Sequence, residues 1–332
     1  MKTKIMTDYV TLSDLNSVGD GSDVTAPLGE TAVVSAYPKS GISLLSILNF
    51  VKEYGRDALA GLTTNDVSER YVKVITKEME TSYCDYMEQT GKDGVGIAQV
   101  FISHAWQYEF LKVVDTLEEH FRDKPDTLIW FDLFSNNQHN LDKAEKQEFK
   151  FWTTTFRSAI EAFGRVVLIL APWDKPIPFT RSWCLFEMYT AISLGIKLEI
   201  AINPGERVSF LEKICNEYWT YYKTLAGIDV GTSNASNPND KDSIFRLVES
   251  RKGGFAGVNA LICDAMRMWF RNTLHDSTLE DGIGEETILR RKFAYAGLLS
   301  DQHEYKAALG VLNELEAPAI QLFGKSDEFV AK

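Results

Sequence analysis

Ala98-Gln-Val-Phe-Ile-Ser103 and Thr127-Leu-Ile-Trp-Phe-Asp132 are two short apolar runs. Each is followed by residues whose hydrophobic positions recur at helical spacing, from about Tyr108 to Phe121 and from about Lys146 to Phe163. Arg165-Val-Val-Leu-Ile-Leu170 and Lys197-Leu-Glu-Ile-Ala-Ile202 repeat the arrangement, with helical patterns from about Arg181 to Leu194 and from about Arg207 to Leu225. Continuous apolar runs of this length read as strands buried on both faces. Four strand–helix units in succession predict a parallel sheet with helices on both sides, an α/β fold of the doubly wound kind.

Outward from this block the texture changes. Residues 1–40 are rich in Ser, Gly, Asp and Thr without a sustained period, and are expected to be disordered. Residues 41–95 read as a helical lead-in. Ile42, Leu44, Leu45, Ile47, Leu48 and Val51 crowd one side of a helix. Thr63 or Thr64 can cap a second, carrying Val67, Tyr71, Val74 and Ile75, and a third spans Ser82 to Gln89. The α/β domain is assigned to residues 96–229. Gly231 to Asp242 reads as a loop within a helical extension over 230–275, and Asp276 to Gly284 as a linker. In the last segment, 285–332, Ala294, Leu298, Leu299, Tyr305, Ala308 and Leu312 have the spacing of a helical hairpin like one tetratricopeptide unit. Such a unit cannot bury its own faces, so it is either the start of an array or a hairpin docked on the α/β domain.

Composition narrows the function classes. The chain has 332 residues, 45% hydrophobic and 12% aromatic, enough for a sizeable core. A net charge of −12 opposes a nucleic-acid or anionic-membrane surface as the main partner, since both demand clustered Lys and Arg. Cys84, Cys184, Cys215 and Cys263 form no Cys-x-x-Cys pair and no His stands at zinc-ligand spacing, so reduced thiols in the cytoplasm and no metal are expected. The start MKTKIMTDYV has no apolar core of a leader, and the longest apolar run, Val166 to Pro172, is too short to span a bilayer.

In a doubly wound sheet, ligands bind beyond the carboxyl ends of the strands, where the strand order reverses. With a flavodoxin-like order, the first of the four strands lies between the second and third. The crevice then opens between Ser103-His104 and Pro172-Trp173. Unusual residues gather there: Ser103, His104 and Trp106 after the first strand, Asp132, Gln138 and His139 after the second, and Trp173, Arg181, Trp183 and Glu187 after the third. On the helix after the third strand, Cys184, Met188, Ala191 and Ile192 form an apolar stripe, with Trp183, Glu187 and Thr190 beside it. Glu187 is thus expected at the edge of the buried surface, as a crevice carboxylate or in a surface pair with Arg181. There is no Gly-x-x-x-x-Gly-Lys, no Gly-x-Gly-x-x-Gly and no serine nucleophile elbow.

Phe101-Ile-Ser-His104 and Trp183-Cys-Leu-Phe-Glu187 resemble the opening strand and the catalytic helix of TIR (Toll/interleukin-1 receptor) domains. Ile129 to Gln138, IWFDLFSNNQ, is similar to a stretch of the related fungal heterokaryon-incompatibility (HET) domains. The tail resembles tetratricopeptide units of the kinesin-light-chain kind. The likeness covers residues 98–202. It implies an NAD+ glycohydrolase or ADP-ribosyl cyclase that releases nicotinamide from NAD+, with Glu187 as the catalytic carboxylate. Ser103, His104, Trp106, Asp132, Gln138, His139, Trp173, Arg181 and Trp183 would contact the substrate, with no metal needed. It also implies self-association, with the loop Phe134 to Asn140 exposed and completing a neighbour's site, and a protein partner on the C-terminal helices. The chain departs from the pattern in three ways: Arg181 stands where a Ser is usual, a fifth strand is not evident between Leu225 and Asp242, and the loop after the second strand lacks Gly and Pro. Two other readings stay open. One is a non-catalytic self-association and signalling module with a repeat-type tail. The other is a nucleoside N-glycosyl transferase, which also uses a Glu on a similar fold.

Overall fold

A computed structural model describes residues 9–10, 37–139, 149–325 and 327, without the side chains of 9, 10 and 149–155. Its centre is a seven-stranded mixed sheet. The strands are β1 (Tyr9–Val10), β2 (Ser40–Ser43), β3 (Val95–Ile97), β4 (Val100–Ser103), β5 (Leu128–Trp130), β6 (Arg165–Ile169) and β7 (Lys197–Ala201), in the spatial order β1-β7-β6-β4-β5-β2-β3. The four strands expected from the apolar runs are β4 to β7, and they pair in parallel. Phe101 lies opposite Trp130 on one side and Val166 on the other, and Val167 lies opposite Glu199. The first of the four therefore sits between the second and the third.

Alternation along these strands sends side chains to two separate cores. Phe101, Trp130, Val166, Leu168, Leu198 and Ile200 face one; Val100, Ile102, Ile129, Val167, Ile169 and Ala201 face the other. Both faces are covered, which is why the runs read as continuously apolar. The second core is closed by α1 (Leu44–Tyr54), α2 (Tyr83–Gln89) and α3 (Phe110–His120). The first is closed by α4 (Phe149–Phe163), α5 (Ser182–Ser193), α6 (Pro204–Asn216), α7 (Trp219–Ala226), α8 (Pro238–Glu249) and α9 (Gly254–Ser277). The tail is α10 (Glu285–Asp301) and α11 (Tyr305–Phe323), paired across a short turn.

Several boundaries differ from expectation. The pattern at Ile42 opens on strand β2, with Ser43 capping α1 through its side chain. Gly41 and Gly96 face one another across β2 and β3, and a Cβ on Gly41 would come within 2.9 Å of the Ala98 Cβ and the Ile129 carbonyl oxygen. Only glycine permits that approach. Of the segment expected to be disordered, residues 9–10 form β1 on the free edge of β7; residues 1–8 and 11–36 lie outside the described residues. Thr63 does cap the second lead-in helix, in a reciprocal box with Asp66. A π-type turn over Ser68–Val72 then shifts the helical register, so Val74, expected on the apolar stripe, is exposed. The helix expected over 207–225 is two, broken at Glu217–Tyr218, which turns Tyr221 inward to donate to Asp301. The expected loop Gly231 to Asp242 ends early: Asn237 caps α8 and Pro238 begins it, a signal the sequence carried.

The tail is tied to the sheet. Ala294 and Leu298 of α10 belong to the same core as β6 and α5. Arg291 donates to the Ser277 carbonyl, and Arg271 meets both Gln302 and Glu304. Leu299 of α10 is buried, while Leu309 and Leu312 of α11 are exposed. Because Leu298 is part of the main core, Leu298→Ala should cost ~2–5 kcal/mol and lower the melting temperature of the whole chain in one transition. Leu309→Ala should change stability by less than ~0.5 kcal/mol. Calorimetry of the two variants checks this; an unchanged Leu298→Ala protein would contradict the shared core.

Candidate functional site

Where β4 ends, Ser103 is buried and its hydroxyl donates to Glu187 Oε2 at 2.6 Å. This bond joins the first parallel strand to the helix after the third, across the point where the strand order reverses. Glu187 is not at the edge of a stripe. From Cys184 to Ile192 every residue of α5 is buried, because α9 and α4 pack on the flank the sequence left open. Glu187 keeps 8% of its surface, and Ser103, not Arg181, is its partner. Burial raises its carboxyl to about 8; the Ser103 hydroxyl pulls the other way, and the Asp132 charge adds to the rise.

Asp132 lies two residues past β5. Its Oδ1 accepts the Leu133 backbone N–H at 2.8 Å and its Oδ2 accepts the Trp106 indole N–H. Partial burial pushes it up to about 7 against those two donors. His104 follows Ser103 and faces Asp132, with Nδ1 3.8 Å from Oδ1. Burial drives its pKa down to about 3, so the ring is neutral at physiological pH. Phe131 meets the ring edge-on and the half-buried Trp106 lies across it. The His104 carbonyl accepts the Cys184 thiol at 3.5 Å, and burial raises that thiol far above its ordinary range. The lead-in fixes the loop carrying Trp106, since Thr64 and Asn65 donate backbone N–H groups to the Tyr108 and Trp106 carbonyls.

Ser103, His104, Trp106, Asp132 and Glu187 thus form one cluster, and the other expected contacts lie elsewhere. Trp173 is fully buried against Phe210 and Phe270, with its indole N–H on Ser209, so it is a core residue and not a stacking platform. Arg181 donates to Ser236 and Trp183 to Asp240, both toward α8. His139 bonds Thr76 of the lead-in. Gln138 is buried and donates to the carbonyls of Asp132, Leu133 and Asn136, holding the loop that carries Asp132. Phe134, Ser135, Asn136 and Gln138 are all buried, so this part of the loop expected to be exposed is folded against the lead-in; Asn140 lies outside the described residues.

An open groove of about 700 Å³ lies at the same end of the sheet, lined by Tyr108, Glu109, Pro172, Asn203 and Glu206 among others. It does not reach Ser103 or Glu187, so the groove and the carboxyl cluster are separate features. A further charged cluster escaped the sequence reading. Glu199, fully buried in β7, meets His120, Arg165 and Lys197. Burial opposes its ionisation, but the three donors outweigh that and hold it well below the ordinary carboxylate range. The signal was a lone Glu inside an apolar strand. Among the described residues, no group of three His, Cys, Asp or Glu is placed to hold a metal ion, and the four cysteines are free thiols. No helix among them is long and apolar enough to cross a membrane.

No protein-family model matches the sequence, and no curated protein or solved structure shows a significant similarity to it.

The folded state prefers Glu187 neutral, whereas the unfolded chain ionises it at the ordinary value, so native stability falls as pH rises from about 4.5 toward about 8. Glu187→Gln keeps the neutral shape without that cost. Near pH 8 the variant should melt ~2 °C or more above the parent, and near pH 4 the difference should vanish. Melting curves at the two pH values decide it; a variant less stable at the higher pH would show that Glu187 is held as a carboxylate.

Proposed function

We propose that the chain releases nicotinamide from NAD+, as a glycohydrolase or ADP-ribosyl cyclase, with Glu187 as the catalytic carboxylate. The observation that supports it is the Ser103–Glu187 hydrogen bond: a buried carboxyl held at the reversal point of a parallel sheet, where such folds bind ligands. The flavodoxin-like, TIR-like reading of the fold belongs to the same proposal and is supported by the order β7-β6-β4-β5. The bond from ribose C1′ to the nicotinamide nitrogen leaves with its electron pair on a cationic ring, which becomes neutral nicotinamide. The ribose is left with oxocarbenium character until water, or a nucleophile of the same molecule, adds at C1′ and loses a proton to solvent. A carboxylate beside C1′ stabilises that cation, and little acid assistance is needed. Trp106, the half-buried aromatic of the cluster, is the group placed to stack on a ring of the substrate.

A substrate that already carries positive charge favours the ionised form of Glu187 and so offsets part of the burial effect. Self-association and cytoplasmic placement remain parts of the proposal. The burial of Phe134, Ser135, Asn136 and Gln138 speaks against that loop as the segment that completes a neighbour's site. The alternative reading, an interaction module without catalysis, is favoured by one observation: Leu309, Leu312 and Leu322 stand exposed on α11, the surface a protein partner would take.

Incubating the chain with NAD+ and measuring released nicotinamide tests the proposal directly. Glu187→Gln should lower the rate by a factor on the order of 10² or more. For the parent, kcat/KM should fall as pH drops below about 8, because the free protein then carries Glu187 protonated, and should level off above it. A Glu187→Gln protein that folds and cleaves NAD+ at the parental rate ends the catalytic assignment.

A further inference from the structure

We propose that His104 is a substrate-binding residue whose Nε2 accepts a hydrogen bond from a hydroxyl of the ligand's furanose diol, with Asp132 as the positioning residue that fixes the tautomer; this rests on the NAD+ reading of the Glu187 site.

Nε2 of His104 is a buried polar atom without a hydrogen-bond partner, a costly state in a folded protein. The ring cannot relieve it by taking up a second proton, because burial keeps it neutral. One nitrogen carries a proton and the other a lone pair, and the surroundings decide which. Nδ1 faces Asp132 Oδ1 at 3.8 Å. The two oxygens of Asp132 accept from the Trp106 indole and the Leu133 backbone, donors that work against the burial that raises its carboxyl to about 7. With both oxygens engaged as acceptors, Asp132 presents lone pairs to the ring and so draws the imidazole proton to Nδ1. Nε2 is then a lone pair with nothing to receive.

A lone pair selects its ligand. It repels phosphate and carboxylate oxygens and takes a hydroxyl or amide hydrogen. The residue before it, Ser103, donates to Glu187, so a ligand with C1′ beside Glu187 lies next to the chain segment that carries His104. The ring is flanked by Phe131, fully buried, and Trp106, half-buried. Access to Nε2 therefore comes by displacement of the Trp106 ring, which would release its indole N–H from Asp132.

Two measurements test this on the full chain. In nitrogen-15 spectra of the labelled protein, assigned with a His104→Phe variant, the parent should show His104 protonated at Nδ1 and bare at Nε2 near neutral pH. Asp132→Asn should populate the other tautomer, and added NAD+ should shift the Nε2 resonance. In activity assays the parent should prefer NAD+ over its 2′-deoxy or 3′-deoxy nicotinamide-ribose analogue by about 10-fold or more in kcat/KM. His104→Phe should erase the preference for one of the two hydroxyls, and His104→Gln, which restores an acceptor, should recover part of it. A parent with the proton on Nε2, or a His104→Phe enzyme that cleaves NAD+ with both preferences intact, overturns the role of His104 and leaves Glu187 untouched. A folded parent that neither cleaves NAD+ nor shifts on its addition overturns the NAD+ reading and this inference with it.

Discussion

A parallel sheet has two apolar faces and can leave neither to water, and most of this chain exists to satisfy that demand. The four strands β4 to β7 contribute few residues, yet they set two cores of opposite orientation. One face is closed by α1 and α2, which precede the parallel strands in sequence, and by α3. The other is closed by α4 to α9 and then by α10, whose Ala294 and Leu298 reach the same core. What looks in sequence like an α/β block with helical appendages is, energetically, a sheet with its two coverings. At ~25 cal/mol per Å² of apolar surface removed from water, neither covering is dispensable.

The same covering makes the carboxyl cluster. Glu187 is driven toward its neutral form because α9, contributed from far along the chain, packs over α5 and strips solvent from that helix. Ser103 supplies Glu187 with one compensating hydrogen bond, and Asp132 accepts two, from the Trp106 indole in the loop after β4 and from the Leu133 backbone after β5. A folded protein that keeps a carboxyl, a neutral imidazole with a bare nitrogen and a second carboxyl so close together sacrifices stability locally, and groups of this kind mark sites of function more often than surface pairs do. The contrast with Glu199 is instructive. That residue is equally buried, but three basic partners surround it and its ionised form is the favoured one. Among the described residues, Glu199 has three basic partners, Glu187 is met by the Ser103 hydroxyl and no base, and His104 Nε2 has no partner.

Much of this was legible in the sequence and some was not, for identifiable reasons. The runs at Phe101, Trp130, Val166 and Leu198 are largely apolar on both alternations, and their succession with helical patterns predicts four parallel strands. Ser103 and Asp132 stand out as polar residues at the ends of such runs, and Glu187 as the carboxylate on the helix after the third. Strands β2 and β3 escaped because four and three residues are too few to show a period, and because Gly41 and Gly96 read as turn residues. Trp173 reads as a substrate contact because its sequence neighbours are loop-like. Its burial comes from Phe210 and Phe270, which no local pattern connects to it. The depth of Glu187 was missed for the same reason: local periodicity reports the near face of a helix, and a second covering helix is a tertiary fact. Of the residues that the resemblance to TIR domains assigns to the substrate, Arg181 bonds Ser236, Trp183 bonds Asp240 of α8 and His139 bonds Thr76 of the lead-in.

The close contact at Gly41 has a consequence for where the fold begins. β2 lies between β5 and β3, so the outer edge of the parallel strands is sealed by residues that precede them by more than half the length of the lead-in. The Trp130 indole also reaches back to the Pro38 carbonyl. A fragment trimmed to start at Gly96, the natural cut for anyone isolating the α/β block by its sequence pattern, would bare the backbone of Leu128–Trp130 and the apolar side of β5 together. Unpaired edges of that kind template pairing with other chains. The lead-in is therefore a guard against intermolecular sheet growth as much as a lid on the second core, and a single methyl at position 41, by prising β2 from Ala98, would weaken that guard from within the folded protein.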